Sequence, residues 1–136
     1  IILQIGGNDI LAYTSPSDAK RHLQKIITTL KKISNNNLIL VGPLNAGSSA
    51  IFWFPFSTLY NARSNMIRGI FYDICKSAHV PFVDLYVSRF RDPFVKNRDL
   101  YFANDKIHPS DEGYSYIYNK IKEIIDTKNA VASRTS

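Results

Sequence analysis

The sequence is poor in the residues that mark several large classes of protein. Its single cysteine, Cys75, excludes an internal disulfide framework and a cysteine-rich zinc cluster. Glycine and proline, six residues each, are too few for a collagen-like or low-complexity chain. The longest uncharged apolar run, 50–56, contains Pro55 and is far shorter than the ~20 residues of a membrane helix. We therefore expect no transmembrane segment, whereas one cysteine is compatible with both a cytoplasmic and a secreted location.

The residues that are present are typical of a globular domain. Of the 136 residues, 45% are hydrophobic and 21% are charged, and domains commonly have about 100–150 residues. The net charge of +6 favours nucleic acid, anionic lipid or an acidic polymer as a partner. Because the basic residues are spread over the chain and do not form one stripe interleaved with aromatic residues, we expect no nucleic acid partner.

Three short apolar runs predict buried β-strands. The first, 1–5, is ended by Gly6-Gly7, and the second, 38–41, is ended by Gly42-Pro43. The third, 80–87, has Pro81 near its start, where a strand tolerates proline. Runs that are apolar throughout are typical of parallel strands covered on both faces.

Three amphipathic segments predict helices between and after these strands. Ser15 is a suitable N-cap for the first helix, and Pro16 fits its first position. The second helix follows a long loop, 44–59, and the third is capped by Ser110 after an irregular stretch, 88–109. Apolar residues recur at helical spacing in these helices: Leu23, Ile26, Ile27, Leu30 and Ile33; Ile67, Ile70, Phe71, Ile74 and Ala78; and Tyr114, Ile117, Ile121, Ile124 and Ile125.

The alternation of strands and helices predicts an α/β fold with three layers, αβα, and a parallel sheet with right-handed crossovers. The sequence opens at Ile1 inside an apolar run, and three strands alone would leave a bare apolar edge. We therefore expect that the first strands of the sheet are missing and that this is the C-terminal part of a longer protein. We expect residues 1–127 to belong to one domain and 128–136 to form a polar tail.

Polar residues follow the predicted strands at their carboxyl ends, where ligands bind in open α/β sheets. Asn8 follows the first strand, Asn45 follows the second, and the block 105–109 lies beyond the third. The spacing of Asp105 and His108 lets the carboxylate hold one imidazole nitrogen and leaves the other free to act as a general base. Asn8, beside two glycines, is suited to donate a hydrogen bond to a developing oxyanion.

Each of these motifs alone has a simpler explanation. A Gly-Gly-Asn-Asp segment is more often a turn, and an Asp three residues before a His is often a structural hydrogen bond. Their occurrence together, at the same edge of the predicted sheet, favours a shared catalytic site.

The two blocks resemble a known family, the SGNH (GDSL-type) hydrolases. Gly6-Gly7-Asn8-Asp9 is similar to the Gly-x-Asn-Asp block of that family, and Asp105-Lys106-Ile107-His108-Pro109 is similar to its Asp-x-x-His block. The resemblance spans nearly the whole chain and implies a flavodoxin-like parallel sheet. It also implies esterase, lipase, thioesterase, deacetylase or acyltransferase activity with no cofactor and no metal.

The resemblance implies a role for each matching residue. Asn8 is then an oxyanion-hole donor supported by the turn of Gly6 and Gly7, His108 is the base, and Asp105 is the acid that orients it. The nucleophilic serine of the family lies in a block that precedes Gly-x-Asn-Asp, so the resemblance implies a nucleophile upstream of this sequence. Ser48 and Ser49 have no strand-to-helix elbow around them that would make either a substitute.

Three interpretations of the function follow. The first is a serine esterase for a small acyl group, with a small-molecule, lipid or carbohydrate ester as substrate. The second is a truncated or degenerate domain that binds a ligand or partner without catalysis, and the missing strands or another copy could cover its edge. The third is a metal-dependent phosphoesterase that uses Asp9, Asp105 and His108, although these do not make a two-metal set.

Other residues are expected to contribute to a substrate cleft. Asn45 follows the second strand, and Phe52 and Trp53 belong to an aromatic cluster in the loop beyond it. Such a cluster equally well lines a cleft or packs over the edge of a core.

Overall fold

The computed structural model describes residues 1–133 and contains a three-stranded parallel sheet. The strands are β1 (Ile2–Gln4), β2 (Ile39–Val41) and β3 (Phe82–Val83), in the spatial order β1-β2-β3. Leu3 lies opposite Leu40, and Val41 lies opposite Val83. The predicted α/β fold with a parallel sheet is confirmed.

Helices connect and follow these strands. A short helix, α1, follows β1 directly, and a single turn of 3-10 helix, Ala46–Ser48, follows β2. The α-helices are α1 (Gly7–Leu11), α2 (Pro16–Ile33), α3 (Phe56–Ser77), α4 (Pro93–Lys96), α5 (Arg98–Tyr101) and α6 (Asp111–Ala132). Within the described residues, no helix is long and apolar enough to cross a bilayer.

The sheet is covered on both faces, which gives the predicted three layers. Alternate residues of a strand point to opposite faces, so Leu40 packs into the core formed with α2 and α3. Its neighbours Ile39 and Val41 pack on the other face against Ile117 of α6. All three strand residues are buried, which explains why β2 is apolar throughout.

The predicted caps are present at two helix starts. The Ser15 hydroxyl accepts a hydrogen bond from the Asp18 backbone N–H at 3.1 Å. The Ser110 hydroxyl accepts one from the Gly113 N–H, also at 3.1 Å. Each bond satisfies a backbone donor that the first turn of a helix leaves without an intrahelical partner.

Several boundaries differ from the prediction. Residues 7–11 form α1 where the sequence indicated only a turn, and α3 begins at Phe56, inside the predicted loop. The third strand is much shorter than 80–87, because the chain beyond Val83 turns away, and the Val87 carbonyl accepts a hydrogen bond from Asn45. Helix α6 continues to Ala132, into the predicted tail, of which residues 134–136 lie outside the described part.

Candidate active site

A cleft of roughly 470 Å³ lies at the carboxyl ends of β1 and β2. It is bounded on one side by the start of α1 and on the other by the loop before α6. Its lining includes Gly6, Gly7, Asn8, Asn45, Phe52 and His108. The structure therefore brings together most of the residues that the sequence indicated, although they are up to a hundred positions apart in the chain.

Asn8 lies in the first turn of α1, at the edge of this cleft. The chain turns from β1 into α1 at Gly6, whose φ of 106° lies in the left-handed region. A Cβ at Gly6 would also lie only 2.9 Å from the Phe71 ring, so both conformation and space require glycine there. At Gly7 a Cβ would meet nothing within 4 Å, so that glycine is not required on steric grounds.

Arg63 of α3 anchors the α1 segment that carries Asn8. Its guanidinium donates hydrogen bonds to the carbonyls of Ile10 at 2.8 Å, Asp9 at 2.8 Å and Thr14 at 2.7 Å. The Asp9 carbonyl also accepts the backbone N–H of Thr14, so the bonds from Arg63 add to the backbone pairing at the end of α1 and hold that helix against α3. Sequence reasoning missed this residue, because an arginine in an amphipathic helix looks the same whether it is solvated or bonded.

Asp105 and His108 form a hydrogen-bonded pair on the opposite side of the cleft. Asp105 Oδ2 lies 2.6 Å from His108 Nδ1, and Oδ1 accepts the backbone N–H groups of Ile107 and His108 at 2.9 Å each. The hydrogen bond from His108 has the largest effect on the pKa of Asp105, and the two amide hydrogen bonds act in the same direction. Together they lower this pKa to about 2. The carboxylate is therefore ionised at neutral pH, and Nε2 of His108 remains available to the cleft.

The loop that carries this pair is held by its own backbone and by one serine. The Ala103 N–H donates to the His108 carbonyl at 2.8 Å, and Phe102 pairs with Pro109 in an antiparallel bridge. Ser49 donates its hydroxyl to the Lys106 carbonyl at 2.5 Å, which ties the loop to the segment after β2. The pair is thus positioned by backbone geometry, although His108 itself is largely exposed.

The other predicted cleft residues differ in their surroundings. Asn45 is buried, and its side chain is bonded to Asn61, to the Val87 carbonyl and to the Gly47 N–H, so it holds the loop around the cleft. Phe52 lines the cleft and stacks on Tyr60 with ring centroids 4.1 Å apart. Trp53 is 69% exposed and is not part of the cleft lining.

Asp92 is a buried acid in the cleft lining that sequence reasoning also missed. It is only 3% exposed, accepts the Phe94 N–H at 2.9 Å and accepts the Ser48 hydroxyl at 2.5 Å. Burial raises the pKa of Asp92, and its two hydrogen bonds oppose that effect only in part. Since Ser48 donates its hydroxyl to Asp92 and Ser49 donates its hydroxyl to the Lys106 carbonyl, neither is arranged as an activated nucleophile.

Replacing Asp92 by alanine is expected to lower the free energy of unfolding by about 2–4 kcal/mol, because Ser48 loses its acceptor and α4 loses its N-cap. Asp92→Asn retains an oxygen for Phe94 and should cost less. Urea denaturation measures both, with exposed Asp73→Ala on α3 as the control. If Asp92→Ala lowers the free energy of unfolding no more than the control does, Asp92 does not stabilise the fold through these hydrogen bonds.

The raised pKa of Asp92 also predicts a pH dependence. A carboxyl group with a raised folded-state pKa contributes stability that is complete below its unfolded pKa of about 3.9 and is lost as the pH rises through the folded value. The Asp92→Asn protein lacks this loss. Its stability relative to the parent, measured by urea denaturation at several pH values, should therefore improve as the pH rises above about 4.

The residues of the cleft do not make a metal centre. Among residues 1–133, no group of three or more His, Cys, Asp and Glu side chains is close enough together to hold a metal ion. The phosphoesterase interpretation needs such a set from Asp9, Asp105 and His108 and therefore gains no support from this geometry.

The fold and the cleft show that this protein is a three-layer α/β domain whose polar site lies at the carboxyl edge of a parallel sheet. The GDSL-like lipase/acylhydrolase family matches residues 1–116, and the chain belongs to this family. The resemblance that the two sequence motifs indicated is thereby confirmed. A search of curated proteins gave no significant match.

A solved structure supports the fold assignment. The lipase/acylhydrolase from Enterococcus faecalis is similar, with a TM-score of 0.64 at 19% sequence identity. The similarity covers 95% of this chain and 60% of the E. faecalis chain. The present chain thus spans less than two thirds of that protein, and at this identity the likeness establishes the fold alone.

Proposed function

We propose that this chain supplies the histidine, the acid and an oxyanion-hole residue of a serine ester hydrolase that acts on a small acyl group. The observation that carries the proposal is the Asp105–His108 pair, with its Nδ1–Oδ2 distance of 2.6 Å, on the same cleft as Asn8. A histidine held through Nδ1 by an ionised carboxylate has the tautomer and orientation that a general base needs. Membership of the acylhydrolase family supports the same chemistry.

In the proposed mechanism, a serine hydroxyl attacks the ester carbonyl while His108 Nε2 accepts the hydroxyl proton. The Asp105 carboxylate stabilises the resulting imidazolium, and its low pKa keeps it ionised throughout. The Asn8 side-chain amide donates a hydrogen bond to the oxyanion. His108 then returns the proton to the leaving alcohol, and water repeats the sequence to release the acid.

The nucleophile in this proposal lies upstream of Ile1 in the natural protein. Ser48 and Ser49 are both buried, and their hydroxyls are already engaged by Asp92 and by the Lys106 carbonyl. The chain also matches only part of its structural relative. A serine delivered by a preceding segment would meet His108 and Asn8 at the cleft they already share.

The test is intact-mass spectrometry of the natural full-length protein before and after reaction with a fluorophosphonate probe. We expect a mass above 15.5 kDa and one covalent adduct, because the probe reacts with a serine activated by a histidine. His108→Ala should slow the labelling strongly, whereas His22→Ala on the exposed face of α2 should not. A protein without an adduct would contradict the proposal and favour a domain that binds its ligand without turnover.

A further inference from the structure

A cluster of exposed aromatic side chains lies beside the cleft. We call it the aromatic rim and define it as Trp53, Phe54, Phe56 and Phe90. Their exposed fractions are 69%, 75%, 48% and 94%. Such a concentration of large apolar side chains in water is unfavourable and marks an interaction surface.

Two segments that are distant in the sequence meet at this rim. Residues 53–56 follow Phe52, which lines the cleft, and lead into α3. The turn 88–91, which carries Phe90, is closed by a hydrogen bond from the Arg91 N–H to the Ser88 carbonyl. Arg89 holds this turn against the first turns of α3. Its guanidinium donates a hydrogen bond to the Ser57 hydroxyl, and its backbone N–H donates one to the Asn61 side-chain oxygen.

The two segments that form the rim carry charge of one sign. No aspartate or glutamate occurs between Asp18 and Asp73, and the turn with Phe90 carries Arg89 and an exposed Arg91. The nearest acid along that turn, Asp92, is buried and bonded to Ser48. The rim therefore presents aromatic rings and guanidinium groups without an exposed acid of its own segments to offset them.

We infer that the aromatic rim docks on an anionic lipid surface. Tryptophan and phenylalanine rings insert at the boundary of headgroups and acyl chains, and arginine beside them is attracted to anionic headgroups. Because the rim adjoins Phe52, docking brings the mouth of the cleft to the membrane surface. The inference concerns binding and does not depend on the ester hydrolysis proposed above.

The test measures co-sedimentation of the natural full-length protein with vesicles, in the His108→Ala background so that turnover cannot alter the lipid. One set of vesicles is neutral phosphatidylcholine, and in the other about a third of the lipid is anionic phosphatidylglycerol. We expect binding to the anionic vesicles. Trp53→Ala combined with Phe54→Ala should lower the partition coefficient at least about tenfold, because it removes two inserting rings.

Matched variants separate the rim from general surface effects. Tyr118→Ala removes an aromatic side chain outside the rim, on α6, that is 63% exposed. This replacement should leave binding unchanged. Arg91→Gln should weaken binding to anionic vesicles about fivefold, which corresponds to about 1 kcal/mol for one basic residue near the surface. Lys25→Gln on α2 lowers the net charge equally and should have a smaller effect.

Three outcomes would overturn the inference. One is that the protein does not sediment with either kind of vesicle. Another is that Tyr118→Ala weakens binding as much as the double variant. The third is a dimer in sedimentation equilibrium that the Trp53 and Phe54 replacements dissociate in the absence of lipid, since the rim would then be covered by a second copy. Fluorophosphonate labelling of the parent protein, in which His108 is intact, is measured separately, and one adduct there would leave the proposed hydrolase activity standing in any of these cases.

Discussion

Replacing His108 by alanine in the natural full-length protein is expected to lower kcat for ester hydrolysis by about 10⁴-fold or more. The serine would then lack the group that takes its proton, and the leaving alcohol would lack its proton donor. Initial rates with a short-chain chromogenic ester measure the effect. The fold should remain intact, because the His108 side chain is 69% exposed and contributes little to the core.

His22→Ala is the matched control for this experiment. His22 lies on the exposed side of α2, away from the cleft, so its replacement should leave kcat unchanged. Circular dichroism of both variants establishes that they are folded. Turnover retained by a folded His108→Ala protein would remove His108 from the mechanism.

Replacing Asn8 by alanine is expected to lower kcat by about 10²–10³-fold, the usual effect of losing one oxyanion-hole donor. Because this hydrogen bond strengthens only as charge develops on the oxygen, kcat and kcat/KM should fall together, and KM should change little. Steady-state kinetics of the full-length protein with the same ester measure both constants.

Asn65→Ala on the exposed side of α3 is the matched control, since it removes the same amide from a site outside the cleft. A rise in KM with unchanged kcat in Asn8→Ala would assign Asn8 to substrate binding in the ground state. A rate within about twofold of the parent would exclude it as an oxyanion donor.

Local patterns were sufficient to predict the class of fold. Runs such as 38–41, apolar throughout and ended by Gly42-Pro43, indicate strands buried on both faces, and β2 has this arrangement. The caps at Ser15 and Ser110 could be predicted because an N-cap bond joins residues only three positions apart. The Asp105–His108 bond was predictable for the same reason.

Contacts between distant segments could not be predicted in this way. Arg63 donates hydrogen bonds to α1 residues that are more than fifty positions away in the sequence. Asp92 accepts a hydrogen bond from the hydroxyl of Ser48, which is 44 positions away. Helix α1 was missed because a segment of five residues that opens Gly-Asn-Asp has little helical propensity, and the bonds from Arg63 that hold it come from a distant helix. The exposure of Trp53 beside a cleft-lining Phe52 is likewise a result of tertiary packing.

The sequence alone therefore determined the order of strands and helices, the local caps and the hydrogen-bonded acid and histidine, because each of these depends on neighbours within a few residues. The common edge of the predicted sheet also indicated that Asn8 and His108 share a site. Only the tertiary structure engaged Ser48 and Ser49 as hydrogen-bond donors, bonded Arg63 to α1, and separated the aromatic rim from the cleft lining. These arrangements depend on how buried polar groups find partners and how side chains pack between remote segments, which spacing along the chain does not specify.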